Sequence, residues 1–152
     1  MVDKGIHLRN PPSRHWRIGK QVYFARNVIL DIAMDGSFAV GDRTKIMHYV
    51  VIGVHQKIAI GSDCQIAEAS TVRDSNHGID EHELITLAPI TSSPVILGDD
   101  VWVGRGVAVL AGSHIGDGAV VGANSVVNGQ IPPYSVAVGS PARVNRMRGR
   151  HQ

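Results

Sequence analysis

A chain of 152 residues that is 43% hydrophobic but only 5% aromatic is long enough for one compact domain, with a core of small aliphatic side chains. The net charge is only +2, and the basic residues gather near the ends, Lys4, Arg9, Arg14, Arg17 and Lys20 against Arg143, Arg146, Arg148 and Arg150. Without interleaved aromatics this pattern argues against a nucleic-acid partner, and with a polar Met1 to Arg17 and no long apolar run, neither a signal peptide nor a membrane span is expected and the predicted location is cytoplasmic.

Residues 1–16 show no repeat and read as an N-terminal arm. From residue 17 a six-residue rhythm emerges, faint in Ile18-Gly19, Phe24-Ala25 and Leu30-Asp31, clearer in Val40-Gly41, Ile46 and Ile52-Gly53, and again in Ile60-Gly61, Ile66-Ala67 and Val72. Phase slips between these blocks mark outward loops. Cys64, the single cysteine, has no internal disulfide partner and falls at an inward position. Residues 78–94 then interrupt the rhythm with charged and loop-forming residues, and loops of that length in compact domains are commonly functional. The most regular stretch follows: Leu97, Val103, Val109, Ile115, Val121 and Val127 stand six apart, and Gly98, Gly104, Gly116 and Gly122 follow four of them. Four positions after each aliphatic stands a second inward residue, as at Val101, Val107, Ser113, Ala119 and Ser125. Pro132 and Pro133 cannot donate ladder hydrogen bonds and are expected to break the stack. Residues 138–152 form a short basic tail, either a solvated end or a phosphate-binding one.

A helical face recurs every 3.6 residues and a plain strand every two, so a sustained period of six requires a solenoid with one short strand and one corner per hexad. Three hexads close a triangular coil, and successive coils pair as parallel strands about 4.8 Å apart. About six coils would account for residues 17–137. Glycine after the aliphatic is expected to tolerate the corner geometry.

Val101-Trp102-Val103-Gly104, the run Ile115-Gly116-Asp117-Gly118-Ala119-Val120-Val121-Gly122-Ala123-Asn124-Ser125-Val126-Val127 and Val138-Gly139-Ser140-Pro141-Ala142-Arg143-Val144 together resemble the closing cassette of the hexapeptide-repeat acyltransferases. The similarity is to the maltose, galactoside and xenobiotic O-acetyltransferases and to acetyltransferases of polysaccharide biosynthesis. It implies an all-β, left-handed parallel β-helix with an inserted loop, an exception to the usual crossover hand. Asp74-Ser75-Asn76-His77 is a second match, with Asn76-His77 similar to the xenobiotic type. Glu83-Leu84-Ile85-Thr86 with Ala88-Pro89-Ile90 resembles the polysaccharide type. The resemblance makes His77 the general base and acetyl-CoA the cosubstrate, with no metal, and implies a homotrimer with active sites between subunits. It assigns coenzyme contacts to Gly104, Arg105, Ala123, Asn128 and Gly129, with Arg143 and Arg146 near the phosphates. Trp102 then shapes the acceptor or coenzyme pocket, or is an interface aromatic. Two departures stand out. Asn128-Gly129 replaces a common Thr-Lys pair, and the Asn and Asp that hold the sugar in the galactoside type have no clear equivalents around Met47, His48 and His55.

Acetyl transfer to a hydroxyl needs a base to remove the proton as the carbon–oxygen bond forms, and histidine suits that task. Its other ring nitrogen needs a partner, for which Asp74 and Glu83 are candidates unless they are simply solvated. The tetrahedral oxyanion needs a donor, for which a backbone N–H would serve. Two competing readings use the same fold. A γ-class carbonic anhydrase-like metalloenzyme would use His77 and His82, but a zinc site needs a third ligand, and His48, His55 and His114 are unmotivated. A noncatalytic scaffold would retain the prism for assembly alone.

Overall fold

The computed structural model describes residues 5–80, 82 and 84–149, so Glu83 and Arg150 lie outside the described residues. The chain winds through six coils of three short strands each. The first coil holds β1 (His7–Leu8), β2 (Trp16–Ile18) and β3 (Tyr23–Phe24), the second β4 (Ile29–Ile32), β5 (Ser37–Val40) and β6 (Lys45–Ile46). The third holds β7 (Val51–Val54), β8 (Lys57–Ile60) and β9 (Gln65–Ile66). The fourth begins with β10 (Thr71–Arg73), leaves the prism as a hairpin of β11 (Ser75–His77) and β12 (Ile90–Ser92), and returns through β13 (Val95–Leu97) and β14 (Trp102–Val103). The fifth holds β15 (Ala108–Val109), β16 (His114–Ile115) and β17 (Val120–Val121), the sixth β18 (Val126–Val127), β19 (Gln130–Ile131) and β20 (Ser135–Val138). A last strand, β21 (Arg143–Met147), turns back antiparallel to β20.

Three parallel sheets form the faces: β1-β4-β7-β10-β15-β18, then β2-β5-β8-β13-β16-β19, then β3-β6-β9-β14-β17-β20 with β21 added at the edge. Register places the hexad aliphatics on top of one another. Leu30, Ile52, Val72, Val109 and Val127 form one buried column, Val40, Ile60, Leu97, Ile115 and Ile131 a second, and Phe24, Ile46, Ile66, Val103, Val121 and Ala137 a third. Each fully buried Val, Leu or Ile contributes about 1.5–3 kcal/mol, so these columns are the main source of stability.

The corners differ from the sequence expectation in one respect. The glycine that follows the aliphatic is not the residue in the left-handed region. That conformation falls three places after the aliphatic, at Gln21, Asn27, Arg43, Tyr49, Asp63, Ala69, Asp100, Asn124 and Tyr134 as well as Gly106, Gly112 and Gly118. The glycine beside the aliphatic is needed because the next coil lies directly against it: a Cβ on Gly41 would stand 2.5 Å from the Ser62 nitrogen, and one on Gly104 2.8 Å from the Ala123 nitrogen.

Two further expectations are revised. The segment read as an arm already carries β1, paired in register with β4, so the stack starts upstream of residue 17. The prolines do not end the stack, because the sixth coil passes through them to β20, which pairs with β17. In earlier coils the equivalent N–H groups donate to the following coil, as Gly116 N–H does to the Ile131 carbonyl at 2.9 Å and Asp99 N–H to the Asp117 carboxylate at 2.9 Å. Among the described residues β19 stands at the edge of its sheet, and proline there sacrifices no ladder bond.

Candidate functional site

His77 ends β11, and the hairpin pairs it with Ile90, Asn76 with Thr91 and Ser75 with Ser92. Residues 78–94 are therefore not loop throughout: their last part returns as β12. The His77 imidazole is exposed and accepts or donates no side-chain hydrogen bond among the described residues. It lines a cleft of about 440 Å³ together with Ser75, Asn76, His55, Asp31 and Arg73.

Asp74 does not orient that ring. It is fully buried, and its carboxylate accepts the backbone N–H groups of His55 (2.7 Å), Gln56 (2.7 Å) and Lys57 (2.6 Å). Its backbone carbonyl accepts the Ser93 N–H at 2.8 Å. Asp74 thus pins the third-coil corner to the base of the hairpin, which fixes where β11 departs. The other candidate partner, Glu83, lies outside the described residues. Sequence reasoning weighed His55, whose Nδ1 lies 2.9 Å from Ser92 Oγ, only as an unmotivated metal ligand and missed Asp31 and Arg73 as cleft residues. His77 and His82 are joined by no group of three or more His, Cys, Asp or Glu able to hold a metal ion among the described residues.

The coenzyme candidates lie elsewhere. Trp102, half exposed at 53%, lines a separate cleft of about 880 Å³ on the third face with Gly104, Arg105, Ala123 and Arg146. Arg105 approaches Glu68 at 3.7 Å. At the same cleft Asp63 is held below its ordinary carboxylate range by a hydrogen bond from Arg43, at 2.6 Å. Arg148, read from sequence only as part of the basic tail, reaches the Asp100 carboxylate at 2.7 Å and the Gly118 carbonyl at 3.1 Å, tying the segment after the last strand across this cleft. Arg143 is exposed at the start of β21, outside that lining. Asn128 and Gly129 sit at the corner between first and second faces, the corner from which the His77 hairpin also leaves two coils earlier. A Cβ on Gly129 would meet nothing within 4 Å, so this edge is open. The two clefts share no lining residue. The site residues are thus split between surfaces of one chain.

Burial raises the Cys64 thiol above its ordinary range, and Sγ lies 3.1 Å from the Gly98 carbonyl. It is a core side chain. Exposed apolar residues cluster instead on the hairpin tip, at Ile79, Leu84, Ile85 and Leu87. Among the described residues no helix is long and apolar enough to cross a membrane.

Residues 94–129 match the family described as bacterial transferase hexapeptide (six repeats). The chain is 37% identical over 150 residues to a probable acetyltransferase of Mycobacterium tuberculosis, covering 97% of this chain and 49% of that protein. It is 38% identical over 123 residues to a putative lipopolysaccharide biosynthesis O-acetyl transferase of Escherichia coli, covering 76% of this chain and 63% of that protein. It therefore spans about half to two thirds of the length of these curated relatives. Among solved structures, a maltose O-acetyltransferase from Clostridium difficile superposes with a TM-score of 0.81 at 33% identity, covering 90% of this chain and 72% of that one. A hexapeptide-repeat acetyltransferase from Vibrio cholerae, complexed with acetyl coenzyme A, gives a TM-score of 0.81 at 28% identity, covering 90% and 72%.

Proposed function

The chain belongs to the hexapeptide-repeat acetyltransferases, and from that premise we propose that it transfers an acetyl group from acetyl-CoA to a hydroxyl of a saccharide-like acceptor, with His77 as general base. The observation that carries this reading is the exposed, unbonded imidazole of His77 in a cleft at the foot of the hairpin, on a chain similar to a maltose O-acetyltransferase. The acceptor hydroxyl gives its proton to the imidazole while its oxygen attacks the thioester carbonyl. The tetrahedral oxyanion collapses with expulsion of the coenzyme thiolate, and the imidazolium returns the proton to that sulfur. No acyl-enzyme is involved, which leaves Cys64 in the core.

Coenzyme A lies along the prism edge, with Gly104, Arg105 and Ala123 beside the pantetheine and Arg146 toward the phosphates, where charge-assisted bonds are strongest. Trp102 borders the same cleft. Because the His77 cleft and this one are separate on a single chain, the working site forms between subunits of a cyclic trimer, each interface joining one of each. The exposed apolar hairpin tip and Trp102 favour such an interface. Acetyl-CoA as donor favours a cytoplasmic reaction.

Thiol release from acetyl-CoA across a saccharide panel tests this reading. His77→Ala is expected to keep its melting temperature and oligomeric state and to lose at least a hundredfold in kcat. Wild-type turnover by that variant would remove His77 as base.

A further inference from the structure

Asp31, Gly53 and Arg73 are register partners on successive coils of the first face. The Arg73 side chain lies flat across Gly53: a Cβ there would stand 2.7 Å from Arg73 Nη1 and 3.1 Å from its Cζ. The guanidinium so crosses a whole coil and ends 3.9 Å from Asp31 Oδ2. Arg9, from the first coil, takes the other oxygen of Asp31 at 2.9 Å. One carboxylate therefore stands between two guanidiniums. Arg9, Asp31 and Arg73 all line the His77 cleft, and Asp31 is the single acidic side chain among its described lining residues.

An ion pair at this exposure and at 3.9 Å contributes little to stability, so pairing with Asp31 does not account for a glycine cradle that lays Arg73 beside the base. Arg9 already satisfies Asp31 more closely. The cleft retains one unit of positive charge, carried on a planar group suited to bind two oxygens of one anion.

We propose that the His77 cleft takes an acceptor bearing a small oxyanion, a carboxylate or a phosphate, which Arg73 anchors while the acceptor hydroxyl meets His77. This rests on the O-acetyltransferase reading and narrows its substrate class to acidic saccharides. Asp31 stands between the two guanidiniums and offsets their repulsion, and Arg73 is the specificity-determining residue. Asn76, in the same lining, offers neutral hydrogen bonds to hydroxyls.

Calorimetric binding of glucose, glucuronate and glucose 1-phosphate to the intact oligomer, without acetyl-CoA, is the first test. The expected result is that at least one anionic sugar binds about tenfold or more tightly than glucose, and the tighter of the two identifies the oxyanion. Arg73→Gln and Gly53→Ala, the second displacing the guanidinium without removing its charge, should each cut that preference about tenfold, with Arg73→Lys retaining part of it. Glucose binding as well as both anionic sugars, no binding by any of the three, or an undiminished preference in Arg73→Gln would overturn the proposal. Thiol release on the same sugars separates the two readings. Preferred transfer to neutral acceptors refutes the anion site and leaves the transferase standing. Anion preference in binding with no transfer to any acceptor refutes the transferase and leaves the anion site.

Discussion

Replacing Asp74 by asparagine removes one charge from a residue that touches no substrate, yet it should weaken both the fold and the reaction. The Asp74 carboxylate accepts three backbone N–H groups at 2.6–2.7 Å in the buried wedge between the third and fourth coils. Hydrogen bonds to a charged acceptor contribute roughly 1.5–3 kcal/mol each, against roughly 0.5–1.5 kcal/mol for neutral ones. Asparagine keeps one oxygen and turns an amide N–H₂ toward the remaining donor, so one N–H loses its acceptor and two lose charge assistance. The lower part of those ranges gives a loss of about 3 kcal/mol. For a chain of this length that corresponds to a fall in melting temperature of about 6–12 °C, measured by circular dichroism at fixed protein concentration. Asn76 and His77 stand two and three residues after the pinned residue, so kcat should fall as well below the melt, with the KM for acetyl-CoA the less affected constant. Asp35→Asn, at an exposed position, is the control. If Asp74→Asn melted within about 1 °C of wild type, as that control should, the carboxylate would not be holding the corner.

Arg146→Ala should weaken coenzyme binding about tenfold more than Arg143→Ala does, because Arg146 lines the third-face cleft and Arg143 does not; equal losses in a coenzyme A titration would contradict the placement. Burial raises the Cys64 thiol, so the folded chain holds that proton more tightly than the unfolded chain. The resulting contribution is fully present below the unfolded thiol's own pKa and is lost as pH rises toward the folded one. Urea midpoints of wild type should therefore fall between about pH 8 and pH 10 more steeply than those of Cys64→Ala, and parallel curves would count against the assignment. Iodoacetamide should label Cys64 slowly in the native protein and quickly in urea.

The hexad aliphatics make the prism legible because each must face the same narrow core, which leaves a period no helix or hairpin shares. The corner conformation left no such trace. Gln21, Arg43, Tyr49 and Ala69 all adopt it, and no residue type unites them. The visible glycines mark a different constraint, the approach of the next coil. At the site, the excursion after His77 was readable as a break in the rhythm. The Arg9–Asp31–Arg73 column was not, since its members neighbour one another only once the coils are in register. Arg9 and Asp31 stand about one coil apart in the chain and Asp31 and Arg73 about two, with Gly53 on the coil between, and that spacing is the signal that could have exposed it. Asp74 read as a loop carboxylate because nothing in the chain announces that three distant N–H groups converge on it.

The two prolines of the last coil have a consequence for how these molecules meet one another in solution. A parallel stack presents at its final turn a row of donors in the register another chain would need in order to continue it, and such an edge seeds fibres. Pro132 and Pro133 remove two of those donors at one corner, and β21 folds back over the adjoining face and occupies its edge. Pairing onto that turn is thus hindered at one corner by the prolines and on one face by β21. The sides of the prism carry no such row of ladder donors, and contacts there can close into rings rather than extend as filaments.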